Sequence, residues 1–143
     1  GAPLAGEMSG HIFIADDSYG FDDAICAGSR VLDQSVRTGF DITAFMDSLP
    51  EQHATPEMRV ACADSEKFAV MDRITKTVLA KMGPEAVSTI DGVRVRTDAG
   101  WWLLRASNTE AVLIARAEAA TKETLDALIG DVDAVLKSAG LRW

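Results

Sequence analysis

The sequence has few cysteines and no long apolar run, and each shortage argues against a class of protein. Its two cysteines, Cys26 and Cys62, lie among apolar neighbours without Cys-x-x-Cys or His-Cys spacing. They therefore favour reduced core thiols in a cytoplasmic protein over a disulfide or a metal site. No apolar run approaches about 18 residues, so no transmembrane helix is predicted. The first residues also lack the charged and hydrophobic regions of a signal peptide.

Basic residues are also in the minority. The chain carries 22 acidic against 14 basic residues, a net charge of -8. Because non-specific binding to nucleic acid or to an anionic membrane depends on positive surface, neither is expected as a partner. The 143 residues are 48% hydrophobic, which is enough to bury a core in one ordinary domain, or in one small domain plus part of another.

The first part of the chain predicts too few strands to close a sheet by itself. Apolar runs and helical spacing indicate one strand and two helices, at residues 12–15, 21–35 and 42–48. The segment 49–56 contains two prolines and is typical of a linker, in which His53 would be solvated. We therefore expect the early part to expose apolar surface.

Residues from about 57 onward predict an α+β layer in which two helices cover one face of an antiparallel sheet. The elements follow the order strand, helix, three strands, helix. Asp64 or Ser65 is expected to cap the first helix, and Gly83-Pro84 to end it. The apolar face of that helix would hold Phe68, Met71, Ile74, Val78 and Met82. The last helix, after Thr121, would bury Leu125, Leu128, Ile129, Val132, Val135 and Leu136.

A donor-rich segment, Arg105-Ala106-Ser107-Asn108-Thr109-Glu110, lies between two strand-like runs. It offers a forked cation, two hydroxyls and an amide beside several backbone N–H groups, which is the set of donors that a phosphate needs. We interpret it as an anion-binding loop on a turn. The alternative is that Ser, Asn and Thr make ordinary turn hydrogen bonds and that Arg105 is a solvated strand end.

A second polar segment, Gly6-Glu7-Met8-Ser9-Gly10-His11, precedes the first predicted strand. Glu7 can accept hydrogen bonds from hydroxyl groups, Ser9 can donate and accept, and His11 can carry a proton near neutral pH. The flanking glycines would let the backbone approach a ligand. The alternative is a glycine-flanked loop in which His11 only caps or packs.

Together with Tyr19-Gly20-Phe21-Asp22-Asp23, Asp91-Gly92-Val93-Arg94-Val95 and Gly100-Trp101-Trp102, these segments resemble the C-terminal part of a known family. That family is the bacterial phosphomannomutase/phosphoglucomutases of the α-D-phosphohexomutase superfamily. Met8 and Asn108 are more similar to this family than to phosphoglucosamine mutases, whose loops more often carry Gln and Gly there. Ala111 departs from the pattern, since many relatives have Pro at that place.

The resemblance implies a piece of a four-domain enzyme, an isomerase that interconverts mannose or glucose 1-phosphate and 6-phosphate through a bisphosphorylated sugar. A phosphoserine in the first domain and a magnesium loop in the second would do the chemistry, and this sequence contains neither motif. Residues 1–50 would be the C-terminal part of the third, α/β domain. Residues 51–143 would be the fourth domain, related to the TATA-binding-protein fold. The fragment alone would be inactive, and its start without Met fits an excised piece.

The resemblance also implies roles for single residues. Glu7 and Ser9 would bind sugar hydroxyls, and His11 would lie near the reacting end as a proton carrier. The phosphate that is not reacting would be held by four residues of the donor-rich segment 105–110: Arg105, Ser107, Asn108 and Thr109. The expected partners are a phosphorylated hexose and the missing N-terminal domains, with Mg²⁺ bound outside this chain and no cofactor within it. The alternatives are a phosphoglucosamine mutase fragment and a stand-alone sugar-phosphate binding module.

Overall fold

The computed structural model describes residues 2–7 and 9–143 and consists of two compact units. The first unit is Gly1–Pro50 and the second is Glu51–Trp143. Met8, one of the two residues that favour phosphomannomutase/phosphoglucomutase, lies outside the described residues. The assignment of the two units to a third and a fourth domain stays a prediction.

The first unit is a short β-hairpin followed by two helices. Its elements are β1 (Leu4–Gly6), β2 (Ile12–Ile14), α1 (Ala24–Thr38) and α2 (Ile42–Ser48). Strands β1 and β2 pair antiparallel, with Leu4 opposite Ile14 and Gly6 opposite Ile12. The sequence predicts β2 and both helices but not β1, because a strand of three residues is defined by its partner rather than by its own pattern.

Polar caps determine where the helices of the first unit begin. The Asp23 side chain accepts a hydrogen bond from the Cys26 N–H at 2.9 Å, so α1 starts at Ala24 and not at residue 21. Asp41 does the same for α2, accepting from the N–H groups of Thr43 and Ala44. The predicted start of α1 is therefore wrong by about one turn.

Much of the apolar surface of α1 is exposed. Its Ile25, Leu32 and Val36 lie along one side of the helix, and Val36 is 86% exposed. Among the residues of α1, only Ala27 is buried. The unit thus has the exposed apolar surface that the sequence predicts for a piece lacking further strands.

The second unit contains a six-stranded antiparallel sheet with the order β3-β8-β7-β6-β5, and β4 also pairs with β8. Its strands are β3 (His53–Ala54), β4 (Met58–Ala61), β5 (Val87–Ser88), β6 (Val93–Thr97), β7 (Gly100–Ala106) and β8 (Val112–Ala119). The prediction of His53 as a solvated linker residue is wrong, because it pairs with Ala119 at the edge of the sheet. Strand β5 is likewise absent from the sequence prediction.

Two helices, α3 (Lys67–Met82) and α4 (Lys122–Ser138), cover one face of this sheet, which confirms the α+β fold class. Alternate residues of β7 and β8 point into the core, and Leu104 and Leu113 are fully buried there. Trp102 belongs to this core, whereas Trp101 lies on the opposite, open face with the Arg94 guanidinium 4.6 Å from its ring centre.

Helix α3 differs from its prediction at its start and along its face. Its N-cap is Glu66, which makes no side-chain capping bond, so neither Asp64 nor Ser65 caps it. The buried residues are Lys67, Val70, Met71, Ile74 and Val78. Phe68 is 59% exposed, because the buried side of the helix is the side that carries Lys67 and Met71, and Phe68 lies next to that side rather than on it.

Helix α4 begins after Thr121 as predicted, but of the six residues predicted to be buried, Ile129 and Val135 are only partly buried against the core. Thr121 caps it in a reciprocal arrangement with Thr124, in which each side chain bonds the backbone N–H of the other. Four leucine and valine side chains are buried on its sheet face: Leu125, Leu128, Val132 and Leu136. None of the helices in residues 2–7 and 9–143 is long and apolar enough to cross a membrane.

Candidate functional site

Glu7 and residues 9–11 lie in the connection between β1 and β2. The Glu7 N–H donates to the His11 carbonyl at 2.9 Å, and the Gly10 N–H donates to the Glu7 carbonyl at 3.0 Å. Gly10 adopts φ of 91°, a conformation that residues with a Cβ rarely adopt. The backbone therefore folds tightly and leaves the polar side chains of the turn exposed to solvent.

The structure brings Glu7 and Ser9 together at the tip of this turn. The Ser9 Oγ donates to Glu7 Oε2 at 3.1 Å. A carboxylate has about four acceptor positions, so this bond leaves most of the Glu7 carboxylate free to accept from hydroxyl groups. The pair can therefore present both acceptors and a hydroxyl to a polyhydroxylated ligand.

His11 is paired with a carboxylate that comes later in the chain. Its Nδ1 lies 2.5 Å from Asp22 Oδ2, and the second oxygen of Asp22 accepts from the Ile12 N–H at 3.2 Å. The hydrogen bond and the negative charge of Asp22 raise the pKa of His11 above its ordinary value. In turn, the bond to His11 lowers the pKa of Asp22.

Asp22 therefore fixes the orientation of the imidazole. Because Nδ1 is occupied by Asp22, Nε2 is the ring nitrogen left to exchange a proton with a ligand. The sequence alone does not predict this role for Asp22. Asp22 does belong to a motif of the family resemblance, Tyr19-Gly20-Phe21-Asp22-Asp23. However, the sequence does not show that Asp22 pairs with His11, because the two residues are far apart along the chain.

Most of the donor-rich segment 105–110 lies in the connection between β7 and β8 in the second unit, residues 107–111. It is closed by the Ser107 N–H, which donates to the Val112 carbonyl at 3.0 Å, and by the Cys62 N–H, which donates to the Ala111 carbonyl at 3.0 Å. We call residues 107–111 the β7–β8 loop. Asn108 and Thr109 are exposed at its tip.

Ser107 is turned into the loop rather than out of it. Ser107 is only 3% exposed, and its Oγ accepts hydrogen bonds from the backbone N–H groups of Thr109 at 3.3 Å and Glu110 at 3.1 Å. These are the ordinary turn hydrogen bonds that the sequence offers as the alternative to phosphate binding. The hydroxyl proton is still able to donate, so the arrangement shapes the loop without excluding contact with an anion.

Arg105, at the end of β7, is partly buried next to the loop. Its Nε lies 3.7 Å from Asp91 Oδ2. Gly92 packs directly against it: φ there is 71°, and a Cβ would lie 2.6 Å from Arg105 Cβ and 2.3 Å from the Leu104 carbonyl oxygen. The absence of a side chain at Gly92 thus allows Arg105 its position.

Glu110, the fourth residue of the β7–β8 loop, is held from three directions. Its N–H donates to Ser107, its carbonyl accepts from Lys67 Nζ at 3.0 Å, and its carboxylate accepts from Arg59 Nη1 at 2.6 Å. Arg59 also pairs with Glu57, and these two carboxylates raise the pKa of Arg59. These contacts hold Glu110 in place, and Glu110 in turn holds the exposed residues of the β7–β8 loop.

A sequence model of the phosphoglucomutase/phosphomannomutase C-terminal domain matches residues 57–135, which include β4 to β8, α3, the β7–β8 loop and Arg105. The chain belongs to the phosphoglucomutase/phosphomannomutase family. The family resemblance in the sequence is thereby confirmed for the C-terminal domain.

Relatives of this family match nearly the whole chain. A phosphomannomutase/phosphoglucomutase of Pseudomonas syringae pv. tomato is 40% identical over 137 residues, which is 96% of this chain and 29% of that protein. A phosphoglucomutase of Neisseria meningitidis serogroup A is 36% identical over 139 residues, 96% of this chain and 30% of that protein. A phosphoglucosamine mutase of Methanococcus maripaludis is 33% identical over 138 residues, 96% of this chain and 30% of that protein.

A crystal structure gives the same result. A phosphoglucomutase/phosphomannomutase family protein of Burkholderia thailandensis superposes with a TM-score of 0.82 at 36% identity, covering 99% of this chain and 30% of that one. The phosphoglucomutase/phosphomannomutase chain described here thus spans less than a third of the length of these relatives.

Sequence reasoning misses three residues that shape the sites of this family member: Asp22, Lys67 and Gly92. Lys67 is the least expected, because a lysine near a helix start is ordinarily solvated. Among residues 2–7 and 9–143, no three His, Cys, Asp or Glu side chains converge closely enough to hold a metal ion.

Proposed function

We propose that this chain is the substrate-binding C-terminal portion of a phosphohexomutase that interconverts hexose 1-phosphate and hexose 6-phosphate. The reaction would pass through a bisphosphorylated sugar and an enzyme phosphoserine. The substrates would be glucose and mannose phosphates. The phosphoserine and the magnesium ion would belong to the rest of a longer cytoplasmic enzyme, and this chain alone would not turn over substrate.

The observation that carries the proposal is Arg105 beside the β7–β8 loop in a domain of this family. Arg105 offers a planar set of N–H donors at the edge of the loop. Asn108 and Thr109 are exposed at the tip, where their side chains can donate to the same anion. The base of the loop is fixed through Glu110, so little order has to be gained on binding.

In this role the β7–β8 loop would hold the phosphate that does not react. Holding one end of the sugar phosphate directs the other end to the reacting group, and positioning of this kind supplies much of the catalysis in phosphoryl transfer. After the first transfer the bisphosphorylated sugar would turn end for end. The loop must then accept phosphate on either carbon, which suits a site that contacts the phosphate alone.

The hairpin turn of the first unit would contact the sugar. Glu7 and Ser9 would hydrogen-bond ring hydroxyls, for which their exposed, adjacent side chains are suited. His11 would carry a proton at Nε2 near the reacting end, with Asp22 holding the ring through Nδ1. This part of the proposal depends on the full-length enzyme, since the partners of the turn lie outside the chain.

Steady-state kinetics of the full-length enzyme test the proposal. Arg105→Ala should lower kcat/KM for glucose 1-phosphate roughly tenfold to 150-fold. This corresponds to a loss of about 1.5 to 3 kcal/mol of transition-state stabilisation, because a charge-assisted contact with phosphate is lost. Arg96→Ala is the matched control, since Arg96 is an exposed arginine of the neighbouring strand β6. Equal kinetics for both variants would refute the assignment of Arg105.

The Methanococcus relative makes phosphoglucosamine mutase a second candidate. The two candidates differ in the hexose that they accept and not in the phosphate contact. Turnover of glucosamine 6-phosphate should be at least tenfold slower than that of glucose 6-phosphate if the first proposal is right. The reverse order would favour the second candidate.

A further inference from the structure

We propose that Lys67 is a positioning residue for phosphate binding: it holds the β7–β8 loop from its buried side through the Glu110 carbonyl. The inference rests on the proposed function, because it assumes that this loop binds phosphate. Lys67 does not reach the exposed tip of the loop. It acts by fixing the carbonyl of Glu110, and through it the exposed residues Asn108 and Thr109.

The burial of Lys67 is the first observation. Its side chain is 2% exposed at the first position of α3, although its neighbour Phe68 is largely solvent-exposed. Taking an ammonium group out of water is costly unless it is paired and hydrogen-bonded. Lys67 Nζ makes two such contacts, to the Glu110 carbonyl at 3.0 Å and to Asp64 Oδ1 at 2.6 Å. Asp64 itself is mostly exposed.

The position of the carbonyl is the second observation. A carbonyl oxygen is the negative end of the peptide dipole, and it repels an anion. The Glu110 carbonyl accepts from Lys67 Nζ, whose side chain is buried, so the negative end of this dipole is directed to a buried cation. Without Lys67 this carbonyl would be buried without its partner, or it would have to turn toward water and thus toward the anion.

The third observation is that the contacts of the loop are linked. Glu110 donates its N–H to Ser107 Oγ, and the same oxygen accepts the Thr109 N–H. Movement of Glu110 would therefore disturb the whole turn from Ser107 to Glu110. Arg59 holds only the exposed carboxylate of Glu110, whereas Lys67 holds its backbone. Of the two cations, Lys67 should therefore control the loop conformation more strongly.

A titration of the 143-residue chain tests this role, with loop amide shifts followed by NMR on addition of glucose 6-phosphate. Lys67→Met keeps most of the apolar stem but removes the charge and the donor. We expect Kd to rise at least tenfold and the Glu110 amide to exchange faster with solvent. Lys76→Met is the control, since Lys76 is an exposed lysine of the same helix paired with Asp72. It should leave Kd within about twofold, consistent with the small contribution of exposed pairs.

The outcomes separate the two proposals. If the unaltered chain binds and Lys67→Met binds equally well, the role of Lys67 is refuted while the phosphate site stands. If the unaltered chain shows no loop shifts at all, the proposed function fails first.

A second measurement keeps the inference testable should Lys67→Met not fold. The side-chain ammonium signal of Lys67 in the unaltered chain should shift with the same Kd as the amides of the loop. An ammonium signal that stays fixed while the loop amides move would overturn the inference.

Discussion

Gly92→Ala should both destabilise the second unit and disturb Arg105. A Cβ at this position would lie 2.3 Å from the Leu104 carbonyl oxygen and 2.7 Å from Arg105 Cα. These are backbone atoms of a central strand, so they cannot move aside as a flexible side chain could. The residue also has φ of 71°, which costs a residue with a Cβ about 1 to 2 kcal/mol.

The two costs add. Forcing a methyl group into a packed site costs about 1 to 3 kcal/mol, so the total is about 2 to 5 kcal/mol. Domains of this size are stable by about 5 to 15 kcal/mol, so the variant should fold but unfold at clearly lower urea. Because the strain falls on Arg105, phosphate binding should weaken in the folded protein as well.

Urea unfolding of the chain, followed by tryptophan fluorescence, measures the effect, since Trp102 lies in the core. Gly130→Ala is the matched control. Gly130 is in the middle of α4, and apart from the backbone of its own helix nothing lies within 4 Å of the place that a methyl group would take, so alanine there should stabilise by about 0.5 to 1 kcal/mol. If Gly92→Ala lowered the free energy of unfolding by less than about 0.5 kcal/mol, the close approach inferred at Arg105 would be wrong.

Two further predictions concern the hairpin turn and the loop. The raised pKa of His11 means that its ion pair with Asp22 stabilises the fold below the ordinary value of 6.5 and is lost as pH rises through the folded value. In Asp22→Asn an NMR titration should therefore find the His11 pKa moved back toward 6.5, and an unchanged titration would contradict the pairing. Ser107→Ala should cost about 1 to 3 kcal/mol in thermal or urea unfolding, because two loop N–H groups lose their acceptor. Stability equal to that of the unaltered chain would show that the Ser107 hydroxyl does not hold the loop.

The sequence is sufficient where local signals are strong. Helix α4 has a capping threonine and a regular apolar stripe, strand β6 alternates valine with arginine, and strands β7 and β8 contain apolar runs. Adjacent residues of a strand point to opposite faces, and Trp101 and Trp102 do so. Such features depend only on neighbours in the chain.

The sequence is insufficient where the partner is distant. Strands β1, β3 and β5 have two or three residues each, and pairing alone defines them. The burial of Lys67 depends on the Glu110 carbonyl, which lies far along the chain. A cation at the start of a helix gives no local sign that it is buried.

The candidate sites follow the same rule. The sequence indicates both polar segments, but not how each is held. The role of Asp22 depends on a contact across the hairpin, and that of Gly92 on the close approach of a neighbouring strand. Ser107 also shows that a hydroxyl able to bind phosphate can instead accept hydrogen bonds from the backbone of its own loop.

The central claim is that the β7–β8 loop and Arg105 bind the phosphate of a hexose phosphate, whichever carbon bears it. The most direct test is an NMR titration of the chain with glucose 1-phosphate and, separately, with glucose 6-phosphate. The account predicts that both move the same amide signals, at residues 105–110, and that Arg105→Ala raises the Kd for both sugars at least tenfold while the rest of the spectrum is retained. Loop signals that stay fixed with both sugars, or that respond equally in Arg105→Ala, would contradict it.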